Sequence, residues 1–165
     1  MLLLYQRFYH IILIFPKSFP MNRLIIIFFI LLTKLSFAQI EIDWSILADV
    51  EFADLYIEEV DEYFLYPHFG PSVRELAGKE VMIRGFVLAI DPTQNYYILS
   101  KGPFSSCFFC GVGGPETIIE LEMKSSKEVF IMDEVATIKG TLKLNADDIY
   151  QCNYILQDAV VYLRE

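Results

Sequence analysis

Glu80-Val81-Met82-Ile83-Arg84-Gly85-Phe86-Val87-Leu88-Ala89-Ile90 places Val81, Ile83 and Val87 on one parity and Met82, Phe86, Leu88 and Ile90 on the other. Side chains alternate across a strand, so the stretch predicts a strand with two largely apolar faces. Gly85 at its middle suits a bend or bulge, the device that curls a strand round a small barrel.

Working outward, Asp91-Pro92-Thr93-Gln94-Asn95 reads as a turn and Tyr96 to Ser100 as a second strand. Thr117 to Met123 predicts a third, with Ile119 and Leu121 on one face and Ile118, Glu120 and Glu122 on the other. Glu134 to Leu144 predicts a fourth, again with a central glycine, Gly140. Tyr154 to Leu163 closes the set as a fifth. Five strands with glycine bends in the first and fourth fit an all-β, five-stranded OB-like Greek-key barrel over residues 78–165.

Residues 39–77 read as an acidic, aromatic N-terminal extension that packs its aromatics on the domain. Asp49-Val50-Glu51-Phe52 alternates like a strand, while Trp44, Leu47 and the set Leu55, Glu58, Glu59, Glu62 allow short helical turns. Pro67-His68-Phe69-Gly70-Pro71 punctuates the chain as a turn, and Ser72 to Leu76 allows one helical turn before Gly78.

Charge and hydropathy are unevenly spread along the 165 residues. The net charge is −9, yet residues 1–38 hold four Lys and Arg and no acid, which leaves the remainder at −13. From Met21 the order is Asn22-Arg23, the apolar run Leu24 to Leu32, then Ser36-Phe37-Ala38. That basic, apolar, small-residue order predicts a secretory signal cleaved after Ala38 and a true start at Met21. The apolar run falls short of the ~20 residues that span a bilayer, so no stable transmembrane anchor is expected. Gln39 stands where a lipoprotein needs Cys. The expected product is an exported protein, periplasmic or secreted, large enough for one core. Its acidity argues against nucleic acid, whose phosphates require Lys and Arg. An envelope protein or a small ligand is the expected partner.

Gly78-Lys79-Glu80-Val81 through Ile90-Asp91, the loop bearing Cys107, and Thr117 to Leu121 resemble domain of unknown function 3299, a family of small exported bacterial proteins. The Bacteroidetes-type relatives look like Pro103-Phe104-Ser105-Ser106-Cys107-Phe108-Phe109-Cys110-Gly111 and Gly114-Pro115-Glu116, followed by Lys139 to Asp148. More distant members open this loop with Cys-Ile-His; here Phe109 stands at the His position and Cys110 follows. The resemblance implies an OB-like fold and an accessory role in envelope transport.

Cys107-Phe108-Phe109-Cys110 is the motif with obvious reactivity, and three readings stay open. Export favours a loop disulfide or a pair of buried thiols. A zinc or copper site would need further ligands from Cys152, His68, Glu116 or Glu120. Thiol–disulfide exchange usually uses a helix N-terminus, whereas Gly111-Val112-Gly113-Gly114-Pro115 predicts a loop between strands. Cys152 is expected at a buried apolar position. Tyr96, Tyr97, Phe104, Phe108 and Phe109 form a candidate stacking platform, with core packing the plainer reading. Glu116, Glu120 and Glu122 are read as solvated. The expected function is a non-enzymatic binding or accessory module with no cofactor, whose loop 103–116 presents Phe104, Cys107, Cys110, Gly114 and Glu116; the alternative is a metal or redox protein using Cys107 and Cys110.

Overall fold

The computed structural model of the protein describes residues 40–58 and 60–165, so the signal predicted over residues 1–38 lies outside the described residues. In chain order the elements are β1 (Ile40–Glu41), α1 (Trp44–Leu47), β2 (Val50–Ile57), β3 (Glu62–Phe69), α2 (Pro71–Arg74), β4 (Glu80–Asp91), β5 (Tyr96–Ser100), β6 (Ile118–Met123), β7 (Glu134–Leu144) and β8 (Tyr154–Arg164).

β4, β5, β6, β8 and β7 close into the five-stranded mixed barrel expected of an OB-like fold. The β4–β5, β5–β6, β7–β8 and β4–β7 pairings are antiparallel, and β6–β8 is parallel. β1 adds two parallel residues beside Val81 and Met82. Each predicted barrel strand is present, with bounds within two residues of those read from the alternation.

The two glycines do what their positions require. Around Gly85, β4 passes from its pairing with β7 to its pairing with β5. A Cβ there would lie 2.6 Å from the Ser100 carbonyl oxygen and 3.0 Å from the Trp44 ring. Trp44 is pinned over this point because its indole N–H donates to the Arg84 carbonyl at 2.8 Å. Gly140 sits at a register shift between β7 and β8, and a Cβ there would lie 2.9 Å from the Gln157 carbonyl oxygen.

Inside the barrel, Val81, Ile83, Val87, Leu99, Ile119, Leu121, Ile138, Leu142 and Leu156 are buried together. Tyr97 and Tyr154 are the largest fully buried side chains. Phe130, from the irregular stretch between β6 and β7, meets Tyr97 edge to face and carries the Arg164 guanidinium 4.7 Å above its ring. The segment before the barrel enters the same core through Ile42, Leu47, Val73 and Leu76. Leu47 is anchored by its carbonyl, which accepts the Tyr154 phenol at 2.7 Å.

β2 and β3 form a separate antiparallel hairpin, with Val50 opposite Phe69 and Ile57 opposite Glu62. The strand-like alternation at Asp49–Phe52 therefore extends to Ile57, and the helical spacing of Leu55 to Glu62 is not used. Cross-strand pairs such as Tyr56 with Tyr63, 5.1 Å between ring centroids, favour the hairpin. Pro67 and His68, read as part of a turn, lie within β3, and the chain turns at Gly70. A two-stranded ribbon leaves alternate N–H groups unpaired, so it tolerates the proline.

A second, smaller core covers the outer face of the barrel. Leu88, Ile98 and Ile118 from the outward parity of β4, β5 and β6 are buried under Cys107, with Tyr96, Phe108 and Cys152 packed around them. That cover explains why both faces of β4 are apolar.

Candidate functional site

The loop between β5 and β6 is built on the Phe104 carbonyl, which accepts hydrogen bonds from the Cys107 thiol at 3.1 Å and the Cys110 thiol at 3.0 Å. The Phe104 N–H donates to the Asp133 carboxylate at 2.6 Å. Short 3-10 turns follow at Phe104–Ser106, Phe108–Cys110 and Pro115–Thr117. At the far end the Gly114 carbonyl accepts the Thr117 hydroxyl at 2.7 Å, and the Glu116 carboxylate accepts the Gly114 N–H at 3.2 Å. Gly111 and Gly113 both adopt positive φ, +76° and +84°, which suits residues without a Cβ.

This folding turns the aromatic tips of the loop toward a groove. Phe108, Phe109 and Pro115 form one wall, and Leu55, Ile57, Phe64 and Tyr66 of the hairpin form another. The connection from β7 to β8 supplies the third through Asp147, Asp148, Tyr150 and Cys152, while Tyr96 and Ile118 of the barrel also line it. The cavity volume is about 490 Å³. Among the described residues no Lys, Arg or His lines it, so they present aromatic surface with negative charge. The β7–β8 connection is held by Asn145, whose side chain is buried and donates to the carbonyls of Asp148, Gln151 and Cys152.

Beside Cys152 and Tyr96 lies Glu120, on the outward face of β6 and only 9% exposed. Its Oε2 accepts the Cys152 N–H at 3.1 Å. Burial, then the Glu120 charge, pushes the Cys152 thiol up to about 12. Burial also raises the Tyr96 phenol, with Cys152 and Glu120 adding to it.

Phe104, Cys107, Cys110, Gly114 and Glu116 all lie in this loop and make the bonds just described, while Phe108, Phe109 and Pro115 of the same loop line the groove. Other expectations need correction. Tyr97 does not join a stacking platform, because it points into the barrel core. Glu120 is buried, not solvated. All three cysteines are free thiols, Cys107 buried and Cys110 exposed. The proposed zinc or copper ligands do not converge: among the described residues no three His, Cys, Asp or Glu side chains are grouped to hold an ion. Cys107 is turned into the small outer core, and His68 sits on β3 with its ring against Tyr66. Partial desolvation, then the neighbouring Cys107, raises the Cys110 thiol, opposite to the lowering that activates a redox cysteine.

The hairpin wall and the β7–β8 wall escaped the sequence reading. Acids interleave the hairpin apolars, and Ala146 to Asn153 carries turn residues with one exposed aromatic, Tyr150, so neither stretch has a chemical signature of its own.

Compared with known proteins, the chain matches no family model and no curated protein. Among solved structures it is similar to a DUF3299 family protein from Pseudomonas aeruginosa, at 18% identity and a TM-score of 0.48, with 78% of this chain and 99% of the other covered. Among the described residues no helix is long and apolar enough to cross a membrane.

Proposed function

We propose that this protein is an exported, non-enzymatic binding module of the cell envelope, and that the groove between the hairpin, the cysteine-bearing loop and the β7–β8 connection holds a small ligand with an apolar or aromatic body. The observation that carries this reading is the groove itself. Its volume of about 490 Å³ is within the range of roughly 300–1,000 Å³ typical of small-molecule sites. Its aromatic lining comes from three separate segments positioned by one closed barrel. OB barrels commonly bind with the face of their second and third strands and the loops beside it, and Tyr96 and Ile118 belong to the corresponding strands here. The absence of basic side chains from the lining among the described residues disfavours nucleic acid. Export is supported by the order of basic, apolar and small residues between Met21 and Ala38, and an accessory role in envelope transport rests on the family resemblance of the sequence.

The test uses the neutral, environment-sensitive dye Nile red with the full chain as expressed and processed by the host. Saturable fluorescence enhancement, weakened about fivefold or more in Phe109→Ala and Tyr66→Ala, is the expected outcome, since buried aromatic anchors dominate binding energy. Absence of binding, or binding that neither variant alters, would refute the groove reading.

A further inference from the structure

We propose that the outer edge of β2 docks an extended, basic segment of another protein, which adds to the hairpin as a third strand; this inference is independent of the groove. The hydrogen-bond pattern fixes which groups face outward. The Gly70 N–H donates to the Asp49 carbonyl at 2.7 Å, and the ladder runs on from there with Val50 opposite Phe69. Hydrogen-bonded and non-hydrogen-bonded pairs alternate along an antiparallel ladder. The main-chain groups of Glu51, Ala53, Leu55 and Ile57 therefore point at β3, and those of Val50, Phe52, Asp54 and Tyr56 point away from it. Pro67, opposite Phe52, obeys the same pattern, since its missing N–H falls on the outer edge of β3. Among the described residues no other strand pairs with β2, and no hydrogen bond reaches the outward main-chain groups of Val50, Phe52, Asp54 and Tyr56.

The two edges of the hairpin differ. On β3 the row of donors is interrupted by Pro67, and the successive residues Tyr63, Phe64, Leu65 and Tyr66 all line the groove. β2 gives only Leu55 and Ile57 to that lining. It runs for eight residues in unbroken register and contains no Pro, Gly or Lys. Sheet edges are commonly blunted by prolines, lysines, bulges or a covering segment, and an edge without them is a template for another strand. What β2 carries instead is negative charge. Glu51 and Asp54 are exposed, the turn beyond adds Glu58, Asp61 and Glu62, and residues 40–73 contain no Lys or Arg. None of the salt bridges among the described residues involves Glu51 or Asp54. A second copy of this edge would bring its own acids alongside, whereas Lys or Arg on an added strand would complement them. Glu51 and Asp54 are an odd number of residues apart and so lie on opposite faces of the ribbon. The partner's cations are accordingly expected three residues apart, one for each face, among β-branched or apolar residues that meet Phe52, Leu55 and Tyr56. In strand addition of this kind the main-chain bonds supply affinity and the alternating side chains supply specificity.

The test titrates three peptides into the isotopically labelled full chain, processed as above, and follows amide chemical shifts. The first is acetyl-Thr-Val-Lys-Val-Thr-Arg-Val-Thr-amide. The second replaces its Lys and Arg by Glu, and the third carries N-methyl groups on its four central residues, which removes donors from both edges of the added strand. The basic peptide is expected to shift the amides of Val50 to Ile57 and to bind about tenfold more tightly than the acidic one, since like charges placed opposite each other disfavour pairing. The N-methylated peptide should not bind. The double variant Glu51→Lys, Asp54→Lys, with both changes at exposed positions, should reverse the order of the basic and acidic peptides. The peptide comparisons leave the protein unaltered and so decide the matter even should that variant not fold. No binding of the basic peptide, binding that survives N-methylation, equal affinity for the basic and acidic peptides, or shifts confined to residues outside the hairpin would each overturn the proposal. So would reversible self-association in sedimentation equilibrium that Asp54→Pro abolishes, because the edge would then belong to a second copy.

Discussion

Glu120 and Cys152, 32 residues apart in the chain, are joined by a 3.1 Å hydrogen bond from the Cys152 N–H to the Glu120 carboxylate. The bond ties β6 to the connection that leads into β8. It also sets a buried negative charge beside a thiol and a phenol.

Stability should therefore fall on the alkaline side. The Cys152 thiol, held at about 12, and the Tyr96 and Tyr154 phenols, also raised chiefly by burial, are acids kept protonated by the fold. Unfolding lets the thiol ionise from about 9, so the unfolded state sheds its proton first. The stabilising difference is whole below that value and is lost as pH climbs toward 12, at up to about 1.4 kcal/mol per pH unit for one group. Urea midpoints between pH 7 and 11 should decline above pH 9, and Cys152→Ala should flatten the slope. A flat profile would contradict the burial of these groups.

Thiol counting checks the cysteine arrangement. Cys107 is buried and Cys152 is held protonated, whereas Cys110 is exposed. At pH 8, one thiol per chain should react readily with a chromogenic disulfide reagent in the native protein, and three should react in guanidinium. A single thiol under denaturing conditions would instead mean that Cys107 and Cys110 are oxidised together.

Gly85→Ala should cost about 1–3 kcal/mol, the range for overpacking a filled core. The new methyl would meet the Ser100 carbonyl and the Trp44 ring, and neither gives way easily because the indole is tied to the Arg84 carbonyl. Equilibrium denaturation reads the loss. Quenched or shifted Trp44 fluorescence should accompany it, since this is the chain's single tryptophan.

Leu47→Ala should cost about 2–5 kcal/mol, as expected for a fully buried leucine, even though the residue lies outside the barrel strands. Tyr154→Phe should cost about 1–3 kcal/mol by leaving the Leu47 carbonyl without its partner. Because Leu47→Ala keeps the main-chain carbonyl that accepts the Tyr154 phenol, the double variant should lose close to the sum of the two. A loss below about 1 kcal/mol in Leu47→Ala would argue that residues 40–47 are not integral to the core.

The readable part of this protein was periodic. Alternation of period two in Glu80–Ile90, Tyr96–Ser100 and Glu134–Leu144, together with mid-strand Gly85 and Gly140, is a local consequence of strand geometry and barrel curvature. The loop character of 103–116 was equally local, since Gly111, Gly113, Gly114 and Pro115 exclude regular structure. The hairpin at 50–69 was harder to read, because aromatic and acidic residues at mixed spacing fit strand and helix alike until Tyr56 meets Tyr63.

The site was legible only in its chemistry-bearing loop. Cys107 and Cys110 drew attention because thiols are reactive, yet their side chains converge on the Phe104 carbonyl and help to shape a wall. Strand alternation correctly put Glu120 on the outward face of β6, but the burial of that face depends on Cys107, Phe108 and Cys152, which arrive from two distant loops. Local backbone preference and side-chain periodicity thus determined the strands, the bends and the barrel class. Tertiary structure alone decided which outward residues are covered, that the Glu120 carboxylate is buried beside Cys152, and where the groove opens, because burial and electrostatic environment depend on segments that are far apart in the chain and meet only when the barrel closes.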